Sequence, residues 1–549
     1  GATQASASST IRFLWATTGP NDKGGCLPIA QGDQGNIDAA CGGGLYIGPT
    51  VDLAETGMSF VHFEDAYGFN VLESVSNTVR YGALIIDGSS PELDHLSFTD
   101  INGSNIIALD FASPTITDST FTIGVDAQTR GPAIQAYGAG AGILSSIVVR
   151  DSTFTGETQS GCSGQQAGIN MIYAEESFID FERLDFSENT FGVLLKSSSG
   201  WIGNSTFDVK CSGVNTNGFK TTGTVSHTLY VDNNVIETEE GAGITAYDGA
   251  IVSAHNNVIS GASAGSGVAV SSSTLTMTDS NVGPISGYNG FWIYGSSDVV
   301  IENTTIQDTA AEPVLLGEYH FNDQGWNVPA PTSARLKMAN SVISNNSGTC
   351  NSLWMYDGDF NCPAIHIFMS SATLIGNTIT NNQGDGLRIK AGIVNVQDNN
   401  IETSEIGANI SHYDDTYGSK HGTIGYFSGN TYTNASQIYN ISESRVTVQS
   451  EFIPDVSAPY YPVMLEWTDS ECPFASLDVC LKLPSSYEKV PQGMPLAIEL
   501  VNNSTVFSFA DLQNFDTSKI FVQNQNTEWG THCLLYTSDA ADEVLGVGV

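Results

Sequence analysis

Two short stretches of the chain combine aromatic side chains with carboxylates, a combination that can bind a sugar. Their sequences are GEYHFNDQGWNVPAPTS and GTCNSLWMYDGDFNCP. Trp and Tyr rings offer flat apolar surfaces to a pyranose ring, and carboxylates can orient its hydroxyl groups. The candidate glycan-binding residues are Tyr319, His320, Asp323, Trp326, Trp354, Tyr356, Asp357 and Asp359. The alternative is that these aromatic residues only pack two long loops onto the rest of the protein.

The second stretch also contains oxygen ligands for a hard cation. Asp357, Asp359 and Asn361 alternate along the chain and could bind Ca²⁺. The residues around them do not match a known calcium loop. No cofactor is therefore expected, and Ca²⁺ is the one alternative that these residues leave open.

One carboxylate and one guanidinium stand close together in the sequence and could take part in acid–base chemistry. Asp385 lies between two glycines, and Arg388 follows three residues later. The neighbouring Leu387 and Ile389 fit an ordinary strand pattern. Asp385 and Arg388 are therefore expected to form a solvated pair at a turn, and no other catalytic residue is predicted.

The cysteines indicate disulfides. Residues 533–543, CLLYTSDAADE, resemble the in-frame translation of a sequencing-library adapter and are set aside. The eight remaining cysteines are Cys26, Cys41, Cys162, Cys211, Cys350, Cys362, Cys472 and Cys480. An even set without Cys-x-x-Cys or clustered His favours disulfides in an extracellular or cell-surface protein, although the pairing is not fixed by sequence.

The charge balance limits the partners. The chain has 59 acidic and 18 basic residues, a net charge of -41. Such a surface repels phosphate backbones and anionic lipid, so nucleic-acid binding is not expected. No apolar run is long enough for a membrane span. A polysaccharide or a surface glycan remains as the expected partner.

The element that must position these residues is a repeat of short strands. An apolar slot recurs along the chain, and its cleanest steps, from Val235 through Val258 and Val282 to Ile306, are 23, 24 and 24 residues. Asn, Ser or Thr stands two residues before each of these, as Asn233, Asn256, Ser280 and Thr304. The full set of slots is Phe63, Phe98, Phe121, Phe154, Phe186, Phe207, Val235, Val258, Val282, Ile306, Val342, Ile379, Ile401, Tyr432 and Phe452.

Each repeat alternates apolar and polar residues between Gly, Asn and Asp, which predicts β-strands and turns. Stacked coils would pair equivalent strands at a spacing of about 4.8 Å and align the slots into one internal column. The recurring Asn would form a hydrogen-bonded ladder at a bend.

The two sugar-binding stretches are insertions into this repeat. The steps from Ile306 to Val342 and from Val342 to Ile379 are 36 and 37 residues, so each coil carries about a dozen extra residues. We expect the first insertion to follow a strand at residues 313–316 and the second to precede a strand at 364–368. The insertions would then border one sheet face from opposite ends.

The segments ATLIGNTITNNQGDGLRIKAG and VVIENTTIQD resemble the right-handed parallel β-helix repeat proteins of the pectate-lyase-like superfamily. The resemblance covers about residues 60–456. It implies an all-β fold, a right-handed single-stranded parallel β-helix, or solenoid. After Pro454 the repeat stops, and the following strand-rich sequence, which contains Cys472 and Cys480, predicts a truncated β-rich domain. The expected domains are an irregular N-terminal cap at 1–55, the β-helix at 56–456, a sandwich-like domain at 457–532 and an artefactual tail at 533–549.

The resemblance leaves two functions open, because this solenoid carries lyases, hydrolases and adhesins. Related lyases use an Arg-x-Pro-x-x-Arg phrase, but Gln135 stands where the second Arg after Arg130 should be. The Gly-His-Gly phrase of related hydrolases is missing from the sequence. We therefore predict a secreted or cell-surface protein with a structural or adhesive, glycan-interacting role. The alternative is a polysaccharide lyase or glycoside hydrolase.

Overall fold

The computed structural model describes residues 11–14, 45–48, 57–64, 69–72, 79–101, 103–123, 131–138, 145–156, 162, 170–218, 228–317, 334–347, 362–414, 420–441, 444–449, 479–483, 501–502, 505–506 and 520–524. These residues form strands and connecting turns. The chain divides into two compact units, residues 1–288 (unit 1) and residues 289–549 (unit 2).

Unit 1 contains short strands. They are Ile11–Leu14 (β1), Leu45–Ile47 (β2), Gly57–Ser59 (β3), Val61–Glu64 (β4), Phe69–Leu72 (β5), Val79–Asp87 (β6), Glu92–Asp94 (β7), Ser97–Thr99 (β8), Ser104–Leu109 (β9), Thr115–Thr117 (β10), Thr120–Thr122 (β11), Ile134–Tyr137 (β12), Ser145–Arg150 (β13), Thr153–Thr155 (β14), Asn170–Glu175 (β15), Ser177–Glu182 (β16), Asp185–Lys196 (β17), Ser199–Gly203 (β18), Thr206–Asn217 (β19), Thr228–Asp232 (β20), Val235–Thr238 (β21), Ile244–Tyr247 (β22), Ile251–His255 (β23), Val258–Gly261 (β24), Val268–Ser271 (β25), Thr274–Thr278 (β26) and Asn281–Ile285 (β27).

Unit 2 has the same kind of strands. They are Phe291–Tyr294 (β28), Asp298–Glu302 (β29), Thr305–Gln307 (β30), Val314–Leu316 (β31), Arg335–Ala339 (β32), Val342–Ser344 (β33), Ile365–Phe368 (β34), Ser371–Ile375 (β35), Thr378–Asn382 (β36), Leu387–Lys390 (β37), Ile393–Gln397 (β38), Asn400–Thr403 (β39), Ile406–Ser411 (β40), Tyr413–Asp414 (β41), Lys420–His421 (β42), Ile424–Ser428 (β43), Thr431–Thr433 (β44), Gln437–Ile441 (β45), Arg445–Gln449 (β46), Val479–Leu483 (β47), Val501–Asn502 (β48), Thr505–Val506 (β49) and Ile520–Asn524 (β50).

A regular coil consists of three strands, which we call its first, second and third strand. In unit 1, for example, β20, β21 and β22 follow one another along the chain. Each pairs in parallel with its equivalent in the next coil, so that β20 pairs with β23, β21 with β24 and β22 with β25. This pairing of equivalent strands confirms the predicted stack of β coils.

The second strands of unit 1 build an aromatic column inside the stack. Phe63, Phe98, Phe121, Phe154, Phe186 and Phe207 are all buried. Consecutive rings are stacked, with centroids 4.6–5.2 Å apart and interplanar angles of 4–12°. The spacing follows from the distance between parallel strands, because one side chain per coil occupies the same slot. These six predicted slots are confirmed.

Three other predicted slots are wrong by one residue. Val235, Val258 and Val342 are exposed, and the buried residues are the isoleucines that follow them. The aligned positions are Ile236 with Ile259 in unit 1, and Ile343 with Ile379 in unit 2. Two adjacent aliphatic residues satisfy an alternating pattern in either phase, and packing of the larger isoleucine inside the coil decides between them.

At Asn233 and Asn256 the predicted polar ladder is wrong by the same residue, whereas the predicted Ser280 and Thr304 are buried members of it. In unit 1 it is formed by the buried Asn234 and Asn257, whose side chains are joined by a hydrogen bond of 3.1 Å. The predicted Asn233 and Asn256 instead occupy exposed left-handed turn positions, with φ of 58° and 52°. In unit 2, Asn377, Asn399 and Asn430 are joined in the same way. The predicted ladder exists because the turn buries backbone N–H and C=O groups, which need hydrogen-bond partners that these side chains supply.

The third strands of unit 2 position the candidate site. β31, β34, β37 and β40 pair in parallel, each with the next. Val314, Ile365 and Leu387 are aligned and fully buried on the inner side. Side chains alternate along a strand, so the residues between the inner positions lie on the outer side of this sheet.

Beyond residue 456, the described strands pair with one another only in short stretches. β47 pairs in parallel with β50, and β48 pairs with β49 as an antiparallel ladder. The predicted β-rich domain at 457–532 and the other domain boundaries remain predictions.

Candidate functional site

Three polar side chains form a row on the outer side of the third strands in unit 2. His366, Arg388 and Asn409 are aligned on consecutive coils, and the aliphatic Leu315 precedes them in the same row. His366 and Arg388 are only 2% and 8% exposed although they alternate with inward-facing aliphatic residues. A buried imidazole and a buried guanidinium need polar partners, and the chain supplies two carboxylates.

Asp385 and Arg388 form a buried ion pair. The Arg388 Nη2 and Nε groups donate to Asp385 Oδ2 at 2.8 and 3.1 Å. Asp385, only 4% exposed, also accepts hydrogen bonds from the Asn409 side chain and from the backbone N–H of Ile406. The expectation of a solvated turn pair is therefore wrong. At Gly386 the backbone lies very close to the backbone of the next coil. This close packing helps to enclose Asp385 and Arg388.

The hydrogen bonds to Asp385 limit its chemistry. An ionised carboxylate has about four acceptor positions, and four donors from three residues are directed at its oxygens. Asp385 is thus arranged to hold Arg388 and Asn409 in place rather than to take up a proton from a substrate.

A second carboxylate lies beside the imidazole of the neighbouring coil. Glu312 precedes β31 and is 6% exposed, and its Oε1 lies 3.5 Å from Nδ1 of His366. The Asn289 side chain donates to Glu312 Oε2 at 3.0 Å. A carboxylate facing an imidazole can share or relay a proton, which makes Glu312 and His366 the most chemically versatile pair of this face.

The two predicted insertions begin and end at this face. The first leaves the coil at Gly317, directly after β31, and the second ends at Cys362, just before β34. Gly317 has φ of 111°, and a Cβ there would lie 2.2 Å from the carbonyl oxygen of Phe368, so only glycine fits. The predicted strands on either side are confirmed.

The side chains predicted to bind glycan or calcium lie outside the described residues. They are Tyr319, His320, Asp323, Trp326, Trp354, Tyr356, Asp357, Asp359 and Asn361. Their roles remain predictions.

Disulfides are present. Cys162 is bonded to Cys211 of β19, and Cys362 is also disulfide-bonded. The bond between Cys162 and Cys211 joins two neighbours in the predicted order of cysteines. Cys26, Cys41, Cys350 and Cys472 lie outside the described residues, and of Cys480 only the backbone, within β47, is described.

Unit 1 contains a three-residue group with ligand atoms for a cation. Among the described residues, Asp94, His95 and Asp118 bring their ligand atoms within 4.8 Å of one another. His95 and Asp118 occupy left-handed turns, which places them at the edge of the first strands. Asp94 already contacts His95 at 2.8 Å and accepts a hydrogen bond from Thr117. The Asp94 carboxylate is therefore already engaged by two neighbouring side chains.

Sequence reasoning missed Glu312, His366 and Asn409 as site residues. They lie on separate coils, so no local motif connects them. The position of His366 in the sequence could have identified it. It lies between two aliphatic residues of a predicted strand, and this alternation places its titratable side chain on the outer side.

Comparisons with known proteins concern the fold. The family model described as "Right handed beta helix region" matches residues 225–365. The catalytic unit of a thermostable GH87 alpha-1,3-glucanase from Streptomyces thermodiastaticus is similar with 14% identity and a TM-score of 0.34, covering 62% of each chain. The A-module of a mannuronan C-5 epimerase from Azotobacter vinelandii has 12% identity and a TM-score of 0.27, covering 62% of this chain and 85% of the module.

A periplasmic alginate epimerase has 11% identity and a TM-score of 0.31, covering 74% of this chain and 82% of its own. The matched region spans less than two thirds of the glucanase chains. These values do not support transfer of any activity. The search of curated protein sequences gave no match.

The described part of the chain contains no helix with the length and apolar character needed to cross a membrane. Its equivalent strands pair in parallel from coil to coil. Together with the family model that matches residues 225–365, this pairing shows the fold of a right-handed parallel β-helix.

Proposed function

We propose that this protein binds a polysaccharide outside the cytoplasm, at the outer side of the third strands in unit 2. The observation that carries the proposal is the group formed by Glu312, His366, Asp385 and Arg388 on this face. It lies between the points where the two aromatic-rich insertions join the coils. Polar groups beside aromatic side chains on a rigid sheet are the chemistry that recognises a sugar chain.

In this function the insertions supply the sugar-stacking rings, and Trp326 and Trp354 are the first residues to test. The buried ion pair of Asp385 and Arg388 fixes the sheet face next to β34. Cys362, at the end of the second insertion, is disulfide-bonded. The disulfides support a secreted or cell-surface location.

The test is binding of the purified protein to soluble neutral glucans, mannans and xylans in affinity electrophoresis. Trp326→Ala and Trp354→Ala should each reduce retardation by at least one polysaccharide, whereas Val342→Ala, at an exposed position of the same unit, should not. Unchanged retardation of both Trp variants would contradict this site.

Cleavage of the bound polysaccharide is the second candidate, favoured by the contact between Glu312 and His366. As a general acid or base, either group would need to exchange a proton with the substrate. Release of reducing ends or of unsaturated products by the wild type, lost in Glu312→Gln with binding retained, would establish it. A wild type that leaves every bound polysaccharide intact would exclude it.

A further inference from the structure

Unit 1 carries three aromatic side chains side by side on the outer face of its first strands. We call Phe178 of β16, Trp201 of β18 and Tyr230 of β20 the aromatic strip. Trp201 is aligned with Tyr230, and Phe178 is aligned with Ser199, two residues before Trp201. Phe178 and Tyr230 are 45% and 48% exposed. Trp201, on the coil between them, is half-buried. Large aromatic groups exposed on either side of it are costly to leave in water, which marks a binding surface.

The indole ring of Trp201 is held flat against the sheet. A Cβ at Gly203 would lie 2.0 Å from Cζ2 of Trp201, so the ring covers the bare backbone of this glycine. The indole N–H donates to Asp232 Oδ2 at 2.9 Å, which fixes the orientation of the ring. One face of the indole thus packs on the coil, and the other is turned outward.

Carboxylates border the strip and already bind the nearby cations. Asp180, aligned with Trp201, accepts a hydrogen bond from Arg150 at 2.6 Å. Arg183 donates to both oxygens of Asp151, at 2.6 and 2.8 Å, and this pairing lowers the pKa of Asp151. The arginines beside the strip are therefore engaged by carboxylates. Among the described residues, the strip presents acceptors for hydroxyl groups but no uncommitted positive charge for a uronate or sulfate.

We propose that the aromatic strip is a separate binding site for an uncharged polysaccharide chain that runs along the stack of coils. Sugar rings pack their C–H faces on aromatic rings, and the flanking carboxylates accept hydrogen bonds from hydroxyls. Adjacent coils are about 4.8 Å apart, comparable to the length of one hexose in an extended chain. The net charge of -41 favours an uncharged ligand over an anionic one.

This site goes beyond the proposed function, because it lies in unit 1 and uses none of the residues of the third-strand face in unit 2. Either site can be present without the other. Variants of each site therefore separate the two proposals.

The test is isothermal titration of the whole protein with a panel of linear hexasaccharides of glucose, mannose and xylose. Tyr230→Ala and Trp201→Ala should each weaken binding of at least one neutral hexasaccharide roughly tenfold, the loss expected for one aromatic contact. Tyr288→Ala, an exposed tyrosine of unit 1 away from the strip, is the matched control and should bind as the wild type does.

Gly203→Ala is a further variant that removes no aromatic ring. The new methyl group would displace the indole of Trp201, so affinity should fall although all three strip residues remain. Melting temperature and circular dichroism verify that each variant is folded, and Tyr230→Ala, at the most exposed position, keeps the test valid if a Trp201 variant unfolds.

Four results would overturn the proposal. The first two are absence of binding to every neutral hexasaccharide of the panel, and binding that Tyr230→Ala leaves unchanged. The third is self-association of the wild type that Tyr230→Ala abolishes, since the strip would then be a contact between copies of the chain. Loss of binding in Trp326→Ala but not in Tyr230→Ala would support the site in unit 2 and overturn this one.

Discussion

At the scale of single residues, burial separates two ion pairs of the same residue types. Asp385 and Arg388 are enclosed, whereas Asp298 and Arg335 form a pair of 3.0 Å with both side chains about half exposed. An exposed pair exchanges contacts with water and contributes little. A buried pair is different, because removing one partner leaves an uncompensated charge inside the protein.

We therefore predict unequal effects of two matched variants. Asp385→Ala should lower the free energy of unfolding by about 3 kcal/mol, because the Arg388 guanidinium loses its carboxylate partner. Asp298→Ala should lower it by less than about 1 kcal/mol. Urea unfolding followed by circular dichroism measures both, and equal losses would show that the buried pair does not stabilise the third strands.

At the scale of elements, columns of equivalent side chains hold the coils in register. The phenylalanine column of unit 1 and the Asn234–Asn257 ladder repeat one contact from coil to coil. Each residue in such a column contacts the coil before it and the coil after it. A defect in the middle therefore weakens two interfaces, which is typical of solenoid proteins.

Phe121→Ala should destabilise unit 1 by about 3–5 kcal/mol, since it leaves a cavity between Phe98 and Phe154. Phe178→Ala removes the same number of atoms from an exposed position and should cost less than about 1 kcal/mol. Thermal unfolding measures the stability of both variants, and hydrogen exchange measures the protection of the backbone amides in β8, β11 and β14. A small loss for Phe121→Ala, close to that of Phe178→Ala, would contradict a column that stabilises the coils.

At the scale of the whole molecule, the excess of acidic residues acts against the compact state. With a net charge of -41, the carboxylates repel one another, and folding increases this repulsion because it brings them closer together. The same field disfavours anionic polymers as ligands, because few basic residues are present to neutralise them. It is compatible with an uncharged polysaccharide, the partner class that we propose.

Added salt should therefore stabilise this protein. Raising NaCl from about 0.05 M to about 0.5 M shortens the screening length from over 10 Å to below 5 Å and should raise the melting temperature by a few degrees. KCl at the same concentrations is the control for a specific effect of sodium. A melting temperature that falls with both salts would mean that attractive ion pairs outweigh the repulsion.

The sequence by itself determined the architecture, since period-two strands separated by Gly, Asn and Asp, repeated every two dozen residues, can bury their apolar faces only by stacking. It also located the insertions and found Asp385 and Arg388, because these lie within one coil. It could not fix the phase at Asn233-Asn234-Val235-Ile236, where both alternatives obey the pattern.

Tertiary structure decided what depends on neighbouring coils. Packing inside the stack selected Ile236 over Val235, and burial turned a predicted surface pair into an enclosed ion pair. Glu312 contacts His366, and Trp201 is aligned with Tyr230. Both arrangements exist only because parallel pairing places residues from different coils side by side. Such contacts depend on the number of residues in every intervening turn, which a local pattern of residue types does not encode.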